Sequence, residues 1–482
     1  MSIGLLTAIG DFLLWRATPG LSLGIFVAAL AVVLLLNRLP SVRTRPTAAA
    51  AVLLLLTAFQ TCVEISLSNL LVLAVLLLVL LGETSFAHLR AGFPRWTEAL
   101  WSVLGAQRSW LWLRAEFGGI SFDLRKALQA SRVIGSVVLP TAVLGVLFAI
   151  LLGSGNAIFA HAMSKIVGGF SNYWPCFDLS FGRVALWLLL STLALALLRP
   201  QGLPAAARAW LPTDRPFAAP PDLEMAQWRS IAVLAVLNVL FFAANSIDAL
   251  YLWIHGTLPV GVSYSQFVHQ GVYSLVAAVL LSAFILVLIF QQQATVVESR
   301  LIRRLSFIWL AQNVVLIASV LLRLRLYVEA YQLTEQRVYV GCFLLLVATG
   351  FALLAWRIAH GRGLAWLVGA NAIATFALFF TLQFVDVAKW VASYNVVRWQ
   401  YDWRRTLDVD YLASLGPSAY PALIAAAETP GRPEAHDAFQ AAQQRKQSEQ
   451  ARLASLNWRS WQSRPVGHAR ELVSHEIRTS RK

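Results

Sequence analysis

Residues 338–356, VYVGCFLLLVATGFALLAW, and residues 364–385, LAWLVGANAIATFALFFTLQFV, are two uncharged apolar runs separated by RIAHGRG at 357–363. An apolar run of about 20 residues crosses a bilayer as a helix, because hydrocarbon offers backbone groups no partner except each other. A span, a short basic joint and a second span make a membrane hairpin. The same pattern recurs outward from it. Further runs fall at 21–37, 46–62, 68–82, 132–154, 181–198, 228–249, 270–290 and 305–322. The expected fold is an all-α, polytopic transmembrane helix bundle of about 10 spans, with a small helical C-terminal appendage.

Composition agrees: the 482 residues are 58% hydrophobic and 13% charged, with 18 Trp suited to interfacial anchoring. A net charge of +15 would suggest nucleic acid in a soluble chain. Here the arginines lie beside apolar runs, where they set orientation and meet lipid headgroups, so no nucleic-acid partner is expected. The bilayer is the expected partner. Residues 3–15 read as a short interfacial helix.

Counting Lys and Arg in alternate connections gives orientation. The set 38–46, 83–132, 199–229, 300–304 and 357–363 holds 19, and the set 1–20, 63–68, 155–183, 250–270 and 323–337 holds 6. The positive-inside rule makes the first set cytoplasmic. Both termini are then expected outside the cytoplasm. The expected organisation is a front membrane half (1–198), with interfacial Trp and Arg in 83–131, and a Pro- and Ala-rich linker (199–227). A back membrane half (228–386) and a helical extracytoplasmic tail (387–482) follow, with the tail's tip expected to be disordered from about Ser463. Pro417 and Pro421 interrupt the tail's apolar stretch.

Cys62, Cys176 and Cys342 are expected on the outer side, as small apolar-like thiols or with Cys62 and Cys176 bridged. No CxxC, HExxH or histidine cluster occurs, so neither a metal nor a cofactor is expected. Asn238, Asn313, Asn371 and Gln60, inside spans, are expected to bond across helices.

The unusual chemistry gathers in the back half. Asp248 ends the sixth run, and His269 precedes the seventh. The eighth runs out through Arg323, Arg325, Tyr327, Glu329 and Tyr331 into Gln332, Thr334 and Arg337, and Asp386 and Asn395 follow the tenth. An alternating topology puts all of these on the outer face. Continued as one helix, 322–337 would carry Arg323, Tyr327, Tyr331 and Thr334 on one stripe, with Arg325, Glu329, Gln332 and Gln336 beside it. Three arginines here oppose the orienting rule, so Asp248, Glu329, Asp386 or an anionic ligand is expected to hold them. The candidate ligand-binding residues are Asp248, His269, Arg323, Tyr327, Glu329, Tyr331, Thr334, Arg337 and Asn395. Each competes with a plainer role: snorkelling, helix-packing ion pairs and interface anchoring.

Several of these segments carry a resemblance. Asn245–Asp248, Ser263–Gln266, His269–Gly271, Tyr327 to Arg337, Tyr394-Asn395, Leu407–Leu412 and Trp458–Trp461 resemble the bacterial membrane family called domain of unknown function 4173, over roughly residues 130–462. Gln332 departs from that pattern, where Gly is more typical. The resemblance implies a bacterial inner-membrane protein with a polar back half, and it implies no activity.

Three classes of function are compatible. The leading one is binding or transport of a small polar or anionic solute through an outward-facing cavity. The second is an enzyme acting on a lipid-linked or envelope substrate, with Asp248 or Glu329 as general base and His269 as proton partner. The third is a sensor or scaffold whose tail meets an envelope partner.

Overall fold

The computed structural model describes residues 2–36, 45–86, 88–89, 93–104, 181–198, 200, 202, 223–250, 253, 279, 281–287 and 299–476. His269, Cys176, the expected fourth span at 132–154 and most of the segments 83–131 and 270–290 lie outside them. The chain divides into two compact units, residues 1–209 with 457–462, and residues 210–456 with 463–482.

The first unit contains α1 (Ser2–Leu14), α2 (Leu21–Leu36), α3 (Arg45–Val63), α4 (Leu67–Ser85), α5 (Phe93–Leu104) and α6 (Phe181–Leu198). Helices α3 and α4 are each long and apolar enough to cross a membrane. A capping box starts α4: the Ser66 side chain accepts from the Asn69 backbone, and the Asn69 side chain accepts from the Ser66 backbone. At Gly24 a Cβ would stand 2.6 Å from the Ala58 carbonyl oxygen, so only glycine lets α2 and α3 approach this closely. Asp11 of α1 takes both arms of Arg183 of α6, at 2.9 and 2.6 Å.

Residues 457–462 pack in this unit. Arg459 donates to the carbonyls of Phe12 and Trp15, at 2.9 and 3.1 Å, filling acceptors that α1 leaves open at its C-terminal end. The Leu21 amide donates to the Trp461 carbonyl at 3.0 Å. Gln462 accepts from the Ile65 amide at 2.9 Å and donates to the Pro19 carbonyl at 3.1 Å.

The second unit holds α7 (Leu223–Asp248), α8 (Arg300–Tyr331), α9 (Glu335–His360) and α10 (Leu364–Leu382). Of these, α8, α9 and α10 are of membrane-crossing length and apolarity. Trp309, fully buried, meets the Phe241 ring edge-on at 5.7 Å. Between helices in lipid, packing and hydrogen bonds carry association, the latter contributing ~0.6 kcal/mol each on average. Gln312 donates to Asn238 Oδ1 at 2.9 Å, and Asn238 donates to the Leu305 carbonyl at 3.1 Å, joining α7 to α8. Asn313 and Asn371 differ from expectation: each donates to the carbonyl four residues back on its own helix. Gly361, at φ 62°, ends α9 in the left-handed conformation and turns the chain into α10.

The tail follows as α11 (Val387–Tyr401), α12 (Val409–Ser414), a 3-10 turn at Pro417–Ala419, α13 (Tyr420–Ala427), α14 (Glu434–Ala454) and α15 (Ser463–Ser474). Its core gathers Trp399, Leu412, Leu423, Ala438 and Leu472. The expected disordered tip is instead helical from Ser463, because Val466, Ala469 and Leu472 recur every three residues and are all buried. The architecture is all-α, with membrane-length apolar helices and a helical tail.

Candidate functional site

The expectation of one continuous helix over 322–337 fails at Gln332. There the chain takes φ 70° and ψ 169°, a region in which a side chain costs ~1–3 kcal/mol and glycine costs little. Helix α8 therefore stops at Tyr331. Thr334 then caps α9, its hydroxyl accepting from the Arg337 amide at 3.4 Å. Gln332 offsets part of its strain by donating to the Thr406 carbonyl at 2.5 Å.

The turn 332–334 is held against α11. Asn395, buried, donates to the Leu333 carbonyl at 2.8 Å and accepts from the Leu333 amide at 2.9 Å. Tyr411 contributes a third tie, its hydroxyl oxygen accepting from the Glu335 amide at 3.0 Å. Burial pushes the Tyr411 hydroxyl's pKa upward, so it stays protonated at physiological pH. Leu333, Val387 and Val391 form a small apolar core beneath these bonds.

Above that core lies a cleft of about 690 Å³, bounded by the end of α8, the turn, α11 and the loop 402–408. Five of the expected residues line it: Glu329, Tyr331, Thr334, Arg337 and Asn395. Tyr327 stands behind, its ring 4.2 Å from the Arg337 guanidinium carbon and 4.9 Å from the Tyr331 ring. Asp248 and Arg323 do not line it. They form a buried ion pair between α7 and α8, at 2.5 Å.

Each arginine that opposes the orienting rule has its own explanation. Arg323 is held by Asp248 and Arg325 by Glu329, the latter at 3.0 Å in an exposed pair. Asp386 takes Arg464 instead, at 3.7 Å. Arg337 donates to the carbonyls of Tyr331 and Gln332, at the negative end of α8, and lies over the Tyr327 ring.

The cleft also holds residues that the sequence reading did not place in a site. Arg398 donates to the Tyr394 hydroxyl at 2.8 Å. Arg405 pairs with Asp402 at 3.1 Å and donates to the Glu329 carbonyl at 2.7 Å. The Arg404 amide, with Arg405 beside it, holds the Asp402 carboxyl below its usual pKa range. Asp408 caps α12 by accepting from the Tyr411 amide at 2.8 Å. The carboxylates of the lining are thus committed: Glu329 to Arg325, Asp402 to Arg405, Asp408 to a helix end. Among the described residues, no carboxylate forms an ion pair with Arg337, Arg398 or Arg404. A signal for these residues existed in WRR at 403–405, a basic pair beside an aromatic just past a helix. Counting charges only between spans left that segment out.

A family model, Domain of unknown function (DUF4153), matches residues 13–426. The chain belongs to the DUF4153 family. Its number differs from that of the family the motifs resemble, and the match begins far earlier and stops before Trp458–Trp461. The DUF4153 region contains the whole cleft lining, from Glu329 to Tyr411. Comparison with curated proteins and with solved structures gives no match.

Proposed function

We propose that this DUF4153 protein binds a small anionic solute in the cleft and acts in its passage at the outer face of a bacterial inner membrane. The observation that carries the reading is that Arg337, Arg398 and Arg404 line one cleft whose carboxylates are already paired or capping. Guanidinium groups present forked donors that match carboxylate and phosphate oxygens. Arg337 is partly balanced by carbonyl oxygens and Arg404 by the nearby charge of Asp402, so Arg398 is the least compensated. The Tyr394 hydroxyl fixes Arg398, and the Tyr327 ring fixes Arg337, so little side-chain freedom is lost on binding. The ion pair with Arg325 speaks against Glu329 as a general base.

The test is calorimetric titration of the purified full chain in a nonionic detergent with phosphate, sulfate and succinate, followed by uptake into proteoliposomes. Arg398→Gln and Arg404→Gln should each weaken binding at least ~10-fold, from the ~1.5–3 kcal/mol of a charged hydrogen bond. Arg452→Gln, on α14 and outside the cleft, serves as the control. Equal binding by the cleft variants and wild type sinks the reading.

A further inference from the structure

Only four residues separate α11 from α10, a helix of membrane-crossing length, so on the span reading α11 starts at the bilayer surface. It has two apolar faces. One, with Ala392, Val396 and Trp399, is buried in the tail's core. The other leaves Trp390 52%, Val397 48% and Tyr401 86% exposed, at spacings of seven and four residues that make one stripe. The exposed Lys389 lies beside it on the same helix, and Trp403, 70% exposed, and the exposed Arg404 follow just past the helix end. Exposed Trp and Tyr with basic residues, beside a span's end, are the composition of a surface seated in lipid headgroups.

The cleft opens beside that stripe. At about 100° per residue, Tyr394 and Arg398 lie roughly 40° and 80° round α11 from Trp390. At the end of α10, Phe384 and Val385 are exposed, so apolar surface continues from the span towards the stripe. A cleft for a solute arriving from water has no use for an apolar apron of this kind. A lipid has: its chains stay in the bilayer while its headgroup turns into the cleft.

We infer that the cleft takes the phosphate of an anionic membrane lipid, held by Arg398 and Arg404 with Arg337 behind, while the α11 stripe sits in the headgroup layer. This rests on the anion-binding reading and names its ligand class.

The test uses the full chain in nonionic detergent and four probes: dioctanoyl phosphatidylglycerol, dioctanoyl phosphatidylcholine, glycerol 3-phosphate and inorganic phosphate. Affinity is read by titration and by the thermal midpoint. The anionic lipid should bind at least tenfold more tightly than glycerol 3-phosphate or phosphatidylcholine. Arg398→Gln with Arg404→Gln should lose at least tenfold of that affinity. Arg404→Gln alone, at an exposed side chain, gives the same readout without risk to folding. Trp390→Ser with Tyr401→Ser should shrink the lipid's advantage over glycerol 3-phosphate. If glycerol 3-phosphate or phosphate binds as well as the lipid, and through the arginines, the lipid inference is overturned and the anion cleft stands. If no probe binds, both readings fall. Lipid binding that ignores the arginine variants also overturns the inference, since it then reports only the surface.

Discussion

Replacing Asn395 tests whether one side chain holds the cleft's turn. Its amide makes both bonds to Leu333, as donor to the carbonyl and acceptor from the amide, in a buried setting. Asn395→Ala orphans both main-chain groups. Each costs ~1–3 kcal/mol when left unmade. Water entering the vacated space recovers part of that sum, leaving a net loss of ~2–4 kcal/mol. For a unit of this size the thermal midpoint should fall by roughly 5–15 °C.

Asn395→Asp separates the two bonds. The carboxylate still accepts from the Leu333 amide but sets an oxygen against the Leu333 carbonyl. Protonation restores the donor, so the folded state binds this proton more tightly than the unfolded chain, where Asp titrates near ~3.9. Stability of this variant relative to wild type should therefore rise as pH falls from neutrality towards 5, and be lost as pH rises. The assay is thermal unfolding in detergent across that range, with Ser393→Ala, exposed on the same helix, as control. An Asn395→Ala midpoint equal to wild type refutes the argument. So does an Asn395→Asp deficit that does not change with pH.

Changes at three other positions probe the tail and the turn. Tyr420 donates to Glu449 at 2.9 Å, and burial raises the hydroxyl's pKa, so it remains a donor well into alkaline solution; Tyr420→Phe should cost ~1–3 kcal/mol in chemical denaturation, and an unchanged curve would show the bond to be idle. Burial first, and then Lys389, lower the His468 pKa, so protons bind the unfolded chain more readily; stability should decline as pH drops below the ordinary histidine value of about 6.5, and His468→Gln should flatten that slope in a pH series of thermal melts. At Gln332, Gly removes strain of ~1–3 kcal/mol but loses the bond to Thr406 and stiffness of ~0.4–1 kcal/mol, so its midpoint should stay near wild type, whereas Gln332→Val loses the bond and deepens the strain; equal midpoints for the two variants would contradict the positive φ.

What the sequence discloses depends on the range of the force involved. Helices α3, α4, α8, α9 and α10 were legible because the bilayer imposes one rule on every residue of a span, and composition alone answers it. The end of α8 was not legible. Residues 322–337 hold no Gly or Pro, and the break at Gln332 is stabilised by Thr406 and Asn395, 74 and 62 residues away from their partners in the turn. Local propensity cannot see such ties, although the glycine typical of the resembling family at this position points to the same backbone shape.

The candidate site was legible in proportion to how far each charge is explained without a ligand. All three arginines at 323, 325 and 337 look equally anomalous against the positive-inside rule. The structure separates them: a buried carboxylate accounts for Arg323 and a neighbouring one for Arg325, while among the described residues the Arg337 guanidinium meets carbonyl oxygens and a ring. Arg398 and Arg404 raise no alarm in the sequence, because a polar tail tolerates arginine anywhere. They become informative only when folding sets them in one cleft with Arg337, among carboxylates that are otherwise engaged. Charge opposing a topology rule thus marks where to look, and charge left uncompensated after folding marks what binds. On that ground the buried Asp248–Arg323 pair belongs to helix packing, and among the described residues the α11 cleft is where the proposed anion site rests.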